Sequence, residues 1–306
     1  EKAAGATLSS EADIKGRIVE YLWYLKKKGL KELTVKHYGE KLSQLTSLRV
    51  NLLDPEEVKK FLAIKNEWSE RTKAITVAIY DGFIKFIKIP WEPPLYKPTR
   101  KLPFIPTEQE IDQLIARAGR RLAPYLQLLK ETGMRRGEAI RLKWTDIDFK
   151  RKTVYVTPEK GSNPRMLPLS DKLLGMLEAL PKKNDRLFPV TLSSMASNFY
   201  QQRKTLSRKL NNPRILAIGL HALRHWKATM EYHKTKDPIH VQQFLGHRDI
   251  KSTMIYINIE QALFQTPSDE FHVKTAKTID QACELAGVGF EYFDTIDGVH
   301  IYRKRK

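Results

Sequence analysis

Cysteine is nearly missing from this sequence: Cys283 stands alone among 306 residues. One thiol makes no intrachain disulfide and no multi-cysteine zinc site. The disulfide-stapled scaffolds of secreted domains are therefore excluded, and a reducing cytosolic setting is expected. Long apolar runs are missing too. No stretch approaches the roughly 18 residues that a membrane span requires, and the opening EKAAGAT has no apolar signal-peptide core. Neither secretion nor membrane insertion is expected. Acidic residues are the third shortage. Asp and Glu number 35 against 54 Lys and Arg, a formal net charge of +19, and the pI is about 9.8. A surplus of that size points to a polyanionic partner, nucleic acid first among them. A basic enzyme without such a partner is the alternative that charge alone leaves open.

Hydrophobic residues make up 41% of the chain, enough to bury a sizeable core, and the length predicts two domains. Ile14, Ile18, Tyr21, Leu22 and Leu25 recur at helical spacing and predict a helix over 11–29, ended by Gly29. Val35, Tyr38, Leu42 and Leu45 predict a second over 34–48. Asp54 caps a third, 55–62, with Pro55 in the first helical position. Ser69 caps a fourth, 70–87, whose stripe is Ile75, Ala78, Ile79, Phe83 and Phe86. Pro90, Pro93, Pro94, Pro98 and Pro103 then strip donors and block helix, which predicts an extended linker and a domain boundary. Basic residues are in excess on both sides of it.

Beyond the linker the pattern predicts a helix from Thr107, another over 122–131, and a third from Arg136 to about Lys143. A β-hairpin follows, with strands at 152–157 and 165–169. Helices are predicted at 171–180, 191–211, 218–234, 237–245 and 250–264. Residues 265–269 read as a joint. Residues 270–306 read as a small appended α+β module, with a strand at Phe271, a helix over 278–286 and a hairpin turning at Asp297-Gly298.

Five short clusters carry the chemistry: Thr132-Gly-Met-Arg-Arg-Gly-Glu138, Glu159-Lys160-Gly161, His221-Ala-Leu-Arg-His225, Leu245-Gly-His247 and Thr253-Met-Ile-Tyr256. Cutting and rejoining a phosphodiester without a metal needs a nucleophile that conserves the bond energy, and a tyrosine phenol serves by forming a phosphotyrosine ester. With a pKa near about 10, the phenol needs help to lose its proton. Charge spreading over the non-bridging oxygens suits two arginine forks, and the leaving 5′ oxygen needs an acid, for which lysine is adequate. Tyr256, Arg135, Arg224, Lys160 and the imidazoles of His221 and His247 supply a candidate for each role. Taken singly, every one has an ordinary reading: a helix-start charge, a hairpin-tip lysine, a core tyrosine, a helix-end histidine. His221 and His225 at i,i+4 also read as half a zinc site, but Ala222 stands where a zincin motif needs Glu.

In order and spacing the clusters resemble the signature of tyrosine recombinases of the phage-integrase and Xer type. Thr132-Gly-Met-Arg135 with Glu138 is similar to that family's first arginine box, Lys160 to its hairpin lysine and His221-x-x-Arg224 to its second box. Leu-Gly-His247 stands nine residues before Tyr256, the family's usual interval. The close match covers about 105–265. The resemblance implies a mainly α fold with a small β-sheet. An N-terminal four-helix core-binding (SAM-like) domain would occupy 1–92, a linker 93–104, a mixed α/β catalytic domain 105–265 and the appended module 266–306. It implies a C-shaped clamp on double-stranded DNA. Tyr256 attacks the scissile phosphate, His221 accepts or relays its proton, and Arg135, Arg224 and His247 hold the phosphate oxygens. Lys160 protonates the leaving 5′ oxygen. No metal or other cofactor is implied. The assembly implied is a homo-tetramer on two DNA sites, acting through a Holliday junction. Glu138 is expected to fix the arginine box, and Arg136 to lie free to meet DNA. Lys36, Arg71, Lys73, Arg203 and Lys204 are basic positions on helices, with a solvated face as the alternative for each. Two other readings stay open: a type IB topoisomerase with the same chemistry, and a DNA-binding protein that no longer cuts.

Overall fold

The computed structural model describes residues 2–99, 101–159, 161–264, 271–296 and 298–305. It divides into two units, Glu1–Lys101 and Leu102–Lys306. In the first, four helices follow one another: α1 (Lys2–Lys27), α2 (Glu32–Ser47), α3 (Pro55–Ile64) and α4 (Glu70–Phe86). Ile14, Ile18, Tyr21 and Leu25 are buried along α1 and meet Leu42, Leu45, Val58, Leu62, Ile79 and Phe83 in one core. The Asp54 carboxylate accepts the backbone N–H groups of Glu56 and Glu57, and the Ser69 hydroxyl accepts that of Thr72. Each such cap satisfies donors that the first helical turn leaves open. Ile75 departs from its expected place in the stripe and is exposed, because the buried face of α4 runs through Thr76, Val77, Tyr80 and Ile84 instead. The proline-rich stretch is neither helix nor strand. It is pinned to this unit where the Trp91 indole N–H donates to Asp81 (3.1 Å) and the Lys73 ammonium lies over the Tyr96 ring.

The second unit opens with α5 (Glu108–Arg117), closed at its start by a reciprocal Thr107–Glu110 capping box. Then come α6 (Leu122–Thr132) and α7 (Arg136–Ile140). The sequence predicts α7 to run on to Lys143. It stops at Ile140 because the chain turns to pair with another segment: Leu187 N–H donates to the Leu142 carbonyl and Trp144 N–H to that of Asp185. Three strands follow, β1 (Ile147–Asp148), β2 (Thr153–Val156) and β3 (Arg165–Pro168), in an antiparallel sheet in that order. The short β1 reads as a turn in the sequence. It becomes a strand through pairing of Ile147 with Val154. Val154 opposes Leu167, and Val156 opposes Arg165.

Five helices complete this part: α8 (Asp171–Glu178), α9 (Leu192–Lys209), α10 (Leu220–Thr235), α11 (Pro238–Leu245) and α12 (Lys251–Phe264). The buried faces of α5, α6, α8, α9 and α10 and of the sheet form one core, with Tyr125 edge-on to Phe188 at its centre. A smaller core under α12 joins Ala228, Val241, Leu245, Tyr256 and Ile259.

The last segment holds β4 (Phe271–Ala276), α13 (Ile279–Gly287), β5 (Glu291–Ile296) and β6 (Val299–Arg305), with strand order β4-β6-β5, all antiparallel. The expected joint at 265–269 and the expected turn residue Asp297 lie outside the described residues. Gly298 has φ +76°. The architecture is mostly helical with small antiparallel sheets, as the sequence predicts.

Candidate active site

The site is assembled from two left-handed turns. Gly133 ends α6 with φ +58° and leads through buried Met134 to Arg135, the extended residue before α7. Gly246 ends α11 with φ +68° and leads to His247. A Cβ at 246 would fall 2.8 Å from the Asn163 carbonyl oxygen and 2.9 Å from both Ser162 Oγ and Arg165 Nη1. Only glycine meets both demands, the positive φ and the close approach. Arg224, on α10 and 2% exposed, ties the two turns together. Its Nη1 donates to the Gly133 carbonyl (2.7 Å) and its Nη2 to the Leu245 carbonyl (2.9 Å).

Glu138 is the counter-charge. Its side chain is fully buried and accepts from Arg165 Nη2 at 2.6 Å, from the Arg135 backbone N–H at 2.8 Å and from Arg135 Nη1 at 3.3 Å. The Glu159 backbone N–H adds a fourth donor. Burial by itself would raise the pKa of this carboxyl. The Arg165 hydrogen bond and the charges of Arg165 and Arg135 outweigh burial and hold it below the ordinary range. Arg224 shares this carboxylate's field without bonding to it. Burial first, then repulsion from Arg135 and Arg165, lowers its pKa to about 9, while Tyr256 and Glu138 pull the other way. One buried carboxylate thus bonds two guanidiniums and stands in the field of a third, so the cluster of these four side chains carries an excess of positive charge.

Lys160 lies outside the described residues. The hairpin on either side of it is nevertheless anchored to the site, through Glu159 to Glu138 and through the Gly246 carbonyl. That oxygen accepts Ser162 Oγ at 2.5 Å and the Asn163 N–H at 3.1 Å.

The imidazoles and the phenol close the cluster. His247 Nδ1 is 2.9 Å from Thr253 Oγ1. Burial, with the charges of Arg224 and Arg135 next, lowers its pKa to about 3. Tyr256, on α12, is 2% exposed, and its hydroxyl is 3.0 Å from His225 Nδ1. His221 is exposed and meets the ring of His225 edge-on, 4.7 Å between centroids. Both histidines lie on one side of α10, one turn apart, and the Nδ1 of His225 faces α12 at hydrogen-bond distance from the phenol. Burial, with His221 and then Arg224 as further causes, lowers the pKa of His225 to about 4. One turn on from Tyr256, Glu260 is bonded by His233 Nδ1 at 2.6 Å and by Lys236, so α12 is held along α10 at a second point.

Arg135, His221, Arg224, His247 and Tyr256 therefore come together. Arg165 and His225 join them unannounced. Strand alternation put Arg165 opposite Val156 on the inward face, where a charge needs a partner. For His225 the i,i+4 spacing was visible, but not the helix that α10 faces. Arg136 is exposed. Three of the basic helix positions have partners: Lys36 pairs with Glu40 at 3.9 Å, and the other two are tied within the fold. Lys73 is buried against Tyr96, and Arg203 donates to the Ile218 carbonyl at 2.7 Å.

Residues 106–262 match the model of the phage integrase family. Tyrosine recombinase XerA of Saccharolobus solfataricus is 27% identical over 198 residues, 62% of this chain and 65% of that protein. Tyrosine recombinase XerD of Oceanobacillus iheyensis is 31% identical over 192 residues, 58% of this chain and 64% of that protein. The match thus spans a little less than two thirds of either relative. The fold is shared with a lambda integrase tetramer bound to a Holliday junction, at a TM-score of 0.63 and 19% identity, covering 79% of this chain and 76% of that one. No helix among the described residues is long and apolar enough to cross a membrane. The family match takes in more than half of the sequence and runs through both turns that Arg224 joins, and on that ground this chain belongs to the phage integrase family.

Proposed function

We propose that the protein is a metal-independent, site-specific DNA recombinase that cuts and rejoins double-stranded DNA through a 3′-phosphotyrosine on Tyr256. The observation that carries this reading is the charge balance of the site. Arg135 and Arg165 bond one carboxylate, Arg224 adds a third guanidinium in its field, and Tyr256 lies close enough for its charge to act on Arg224. A buried cationic excess beside a phenol is built to receive an anion, and phosphate completes it.

In this reading Arg135 and Arg224 hold the non-bridging oxygens, and His247 and the exposed His221 add donors. As Tyr256 Oη forms its bond to phosphorus, the bond to the 5′ oxygen breaks, and Lys160 supplies that oxygen with a proton. Attack by a 5′-hydroxyl from a second duplex reverses the step and releases the tyrosine. Two rounds pass through a Holliday junction, with four copies on two sites. Arg165 and Glu138 set the arginine box and do no chemistry. The cationic surface meets the DNA backbone, which supplies most of the affinity.

The test is covalent capture. The protein is mixed with a pool of nicked duplexes of random sequence, in which cleavage next to the nick releases a short fragment and traps the protein on DNA. Trapped duplexes are recovered under denaturing conditions and sequenced. The expected result is a covalent complex on one enriched sequence, lost completely in Tyr256→Phe while DNA binding persists. A covalent complex that survives Tyr256→Phe overturns the assignment.

A further inference from the structure

The hydrogen bond between α10 and α12 carries a further assignment, which rests on Tyr256 being the nucleophile. We propose that His225 is a catalytic residue of this site: its Nδ1 takes the phenol proton as Tyr256 attacks phosphorus, and returns it when the ester is resolved.

Three observations converge. The first is contact. Nδ1 is 3.0 Å from the phenol oxygen, within the range a general base needs before any rearrangement. The second is enclosure. Tyr256 is 2% exposed and packs in the core formed by Ala228, Val241, Leu245 and Ile259. A proton leaving such a phenol passes to a side chain in contact rather than directly to bulk water. The third is protonation state. The groups that act on His225 are His221 and Arg224 of its own helix and Tyr256 of α12. Burial, with His221 and then Arg224 as further causes, keeps its ring neutral at physiological pH, so that Nδ1 is available as an acceptor with the ring proton on Nε2. The same Arg224 favours the phenolate that forms.

The step balances. The Oη–H bond breaks, with its proton going to Nδ1 and its electron pair to the Oη–P bond. The P–O5′ bond breaks, and its electron pair stays on O5′. No oxidant, reductant or further reactant enters. His221, edge-on to His225 and exposed, is left to meet the phosphate.

The experiment measures single-turnover formation of the covalent complex on the duplex enriched from the random pool, as a function of pH. Wild type, His225→Ala, His225→Asn and Tyr256→Phe are compared at saturating protein. The asparagine amide reaches the place of Nδ1 and keeps a hydrogen bond to the phenol, but accepts no proton. Both His225 variants are expected to bind the duplex as wild type does and to form the complex roughly 10²–10⁴-fold more slowly, the span of a lost general base. Their rates should climb with pH across the range in which the wild-type rate is flat, and added imidazole should restore part of the alanine variant's rate. Recovery of the wild-type rate and pH profile in His225→Asn would make His225 a positioning residue and overturn the proposal. So would an unchanged rate in His225→Ala. A complex that forms in wild type and persists in Tyr256→Phe removes the nucleophile assignment itself, and is distinct from either of those results.

Discussion

Glu138 shows how much a single buried carboxylate holds in place. With its side chain fully buried and Arg165 5% exposed, its removal leaves an arginine without counter-charge among two others. Breaking a buried pair on one side costs about 3–5 kcal/mol. Glu138→Gln is expected to lower the unfolding free energy of the chain in urea by about that much, and an unchanged midpoint would refute the role given to it. The histidines make the site sensitive to acid. His225 and His247 have pKa values near 4 and 3 in the folded protein, against about 6.5 for a free imidazole. Below about 6.5 the unfolded chain binds protons that the folded one refuses. Their contribution to stability is therefore complete above that pH and is lost as pH falls toward 4 and then 3. The melting temperature should drop between pH 7 and pH 5. Replacing His247 by Gln should shrink the drop, and an equal drop in both proteins would remove His247 from the account. Glu138, with its lowered pKa, adds its own loss only below the usual carboxylate range.

At the scale of elements, the site depends on turns more than on helices. Gly246 brings the hairpin tip, the end of α11 and Arg224 to one point. Gly246→Ala forces a left-handed residue to carry a side chain, which costs about 1–2 kcal/mol, and drives its Cβ into the Asn163 carbonyl at 2.8 Å. Loss of at least that much stability is expected, together with faster hydrogen exchange at the Asn163 amide, which bonds to the Gly246 carbonyl. Gly175 provides the control. It lies inside α8 with nothing within 4 Å of a built Cβ, so Gly175→Ala should be neutral or stabilising by about 0.5–1 kcal/mol. Equal effects at the two positions would contradict the part given to the Gly246 turn. The α10–α12 pairing is the second device. His225 with Tyr256 and His233 with Glu260 lie at successive points along the two helices, and Phe264 stacks on His233 at 3.8 Å. Together these contacts fix the helix that presents the phenol.

For the whole molecule, charge and the last segment each carry an expectation that can be tested on DNA. A chain of net charge +19 that neutralises phosphates releases counter-ions. If it meets about six to ten of them, its affinity should fall by about 10³–10⁵ between about 50 and 200 mM salt. A shallow slope would mean that the basic surface does not track the backbone. The segment 271–305 buries little: Ala276 and Leu285 are its buried apolar residues among those described, while Val273, Phe293 and Ile296 stay exposed. Our hypothesis is that a part of 257–306 docks on a neighbouring copy. Truncation after Phe264 or after Ser268 should then leave single-site cleavage intact and weaken assembly of the four-copy complex, measured by native mass on DNA. Unchanged assembly and recombination in both truncations would end that hypothesis.

The sequence by itself determined most of the element order. The spacing of Ile14, Ile18, Tyr21 and Leu25, the caps at Asp54, Ser69 and Thr107, and the glycines at 133 and 246 are local signals, read within one or two turns of chain. Residue type and order along the chain also nominated Arg135, Lys160, His221, Arg224, His247 and Tyr256 for the chemistry, but neither Arg165 nor His225. The tertiary structure decided who meets whom. Arg165 becomes the partner of Glu138 because Val156 opposes it across the sheet. Ile147 becomes a strand residue only through Val154. His225 reaches the phenol because α12 packs against α10. These contacts join residues that are far apart in sequence, and their distances follow from helix packing and sheet register, which no local pattern encodes.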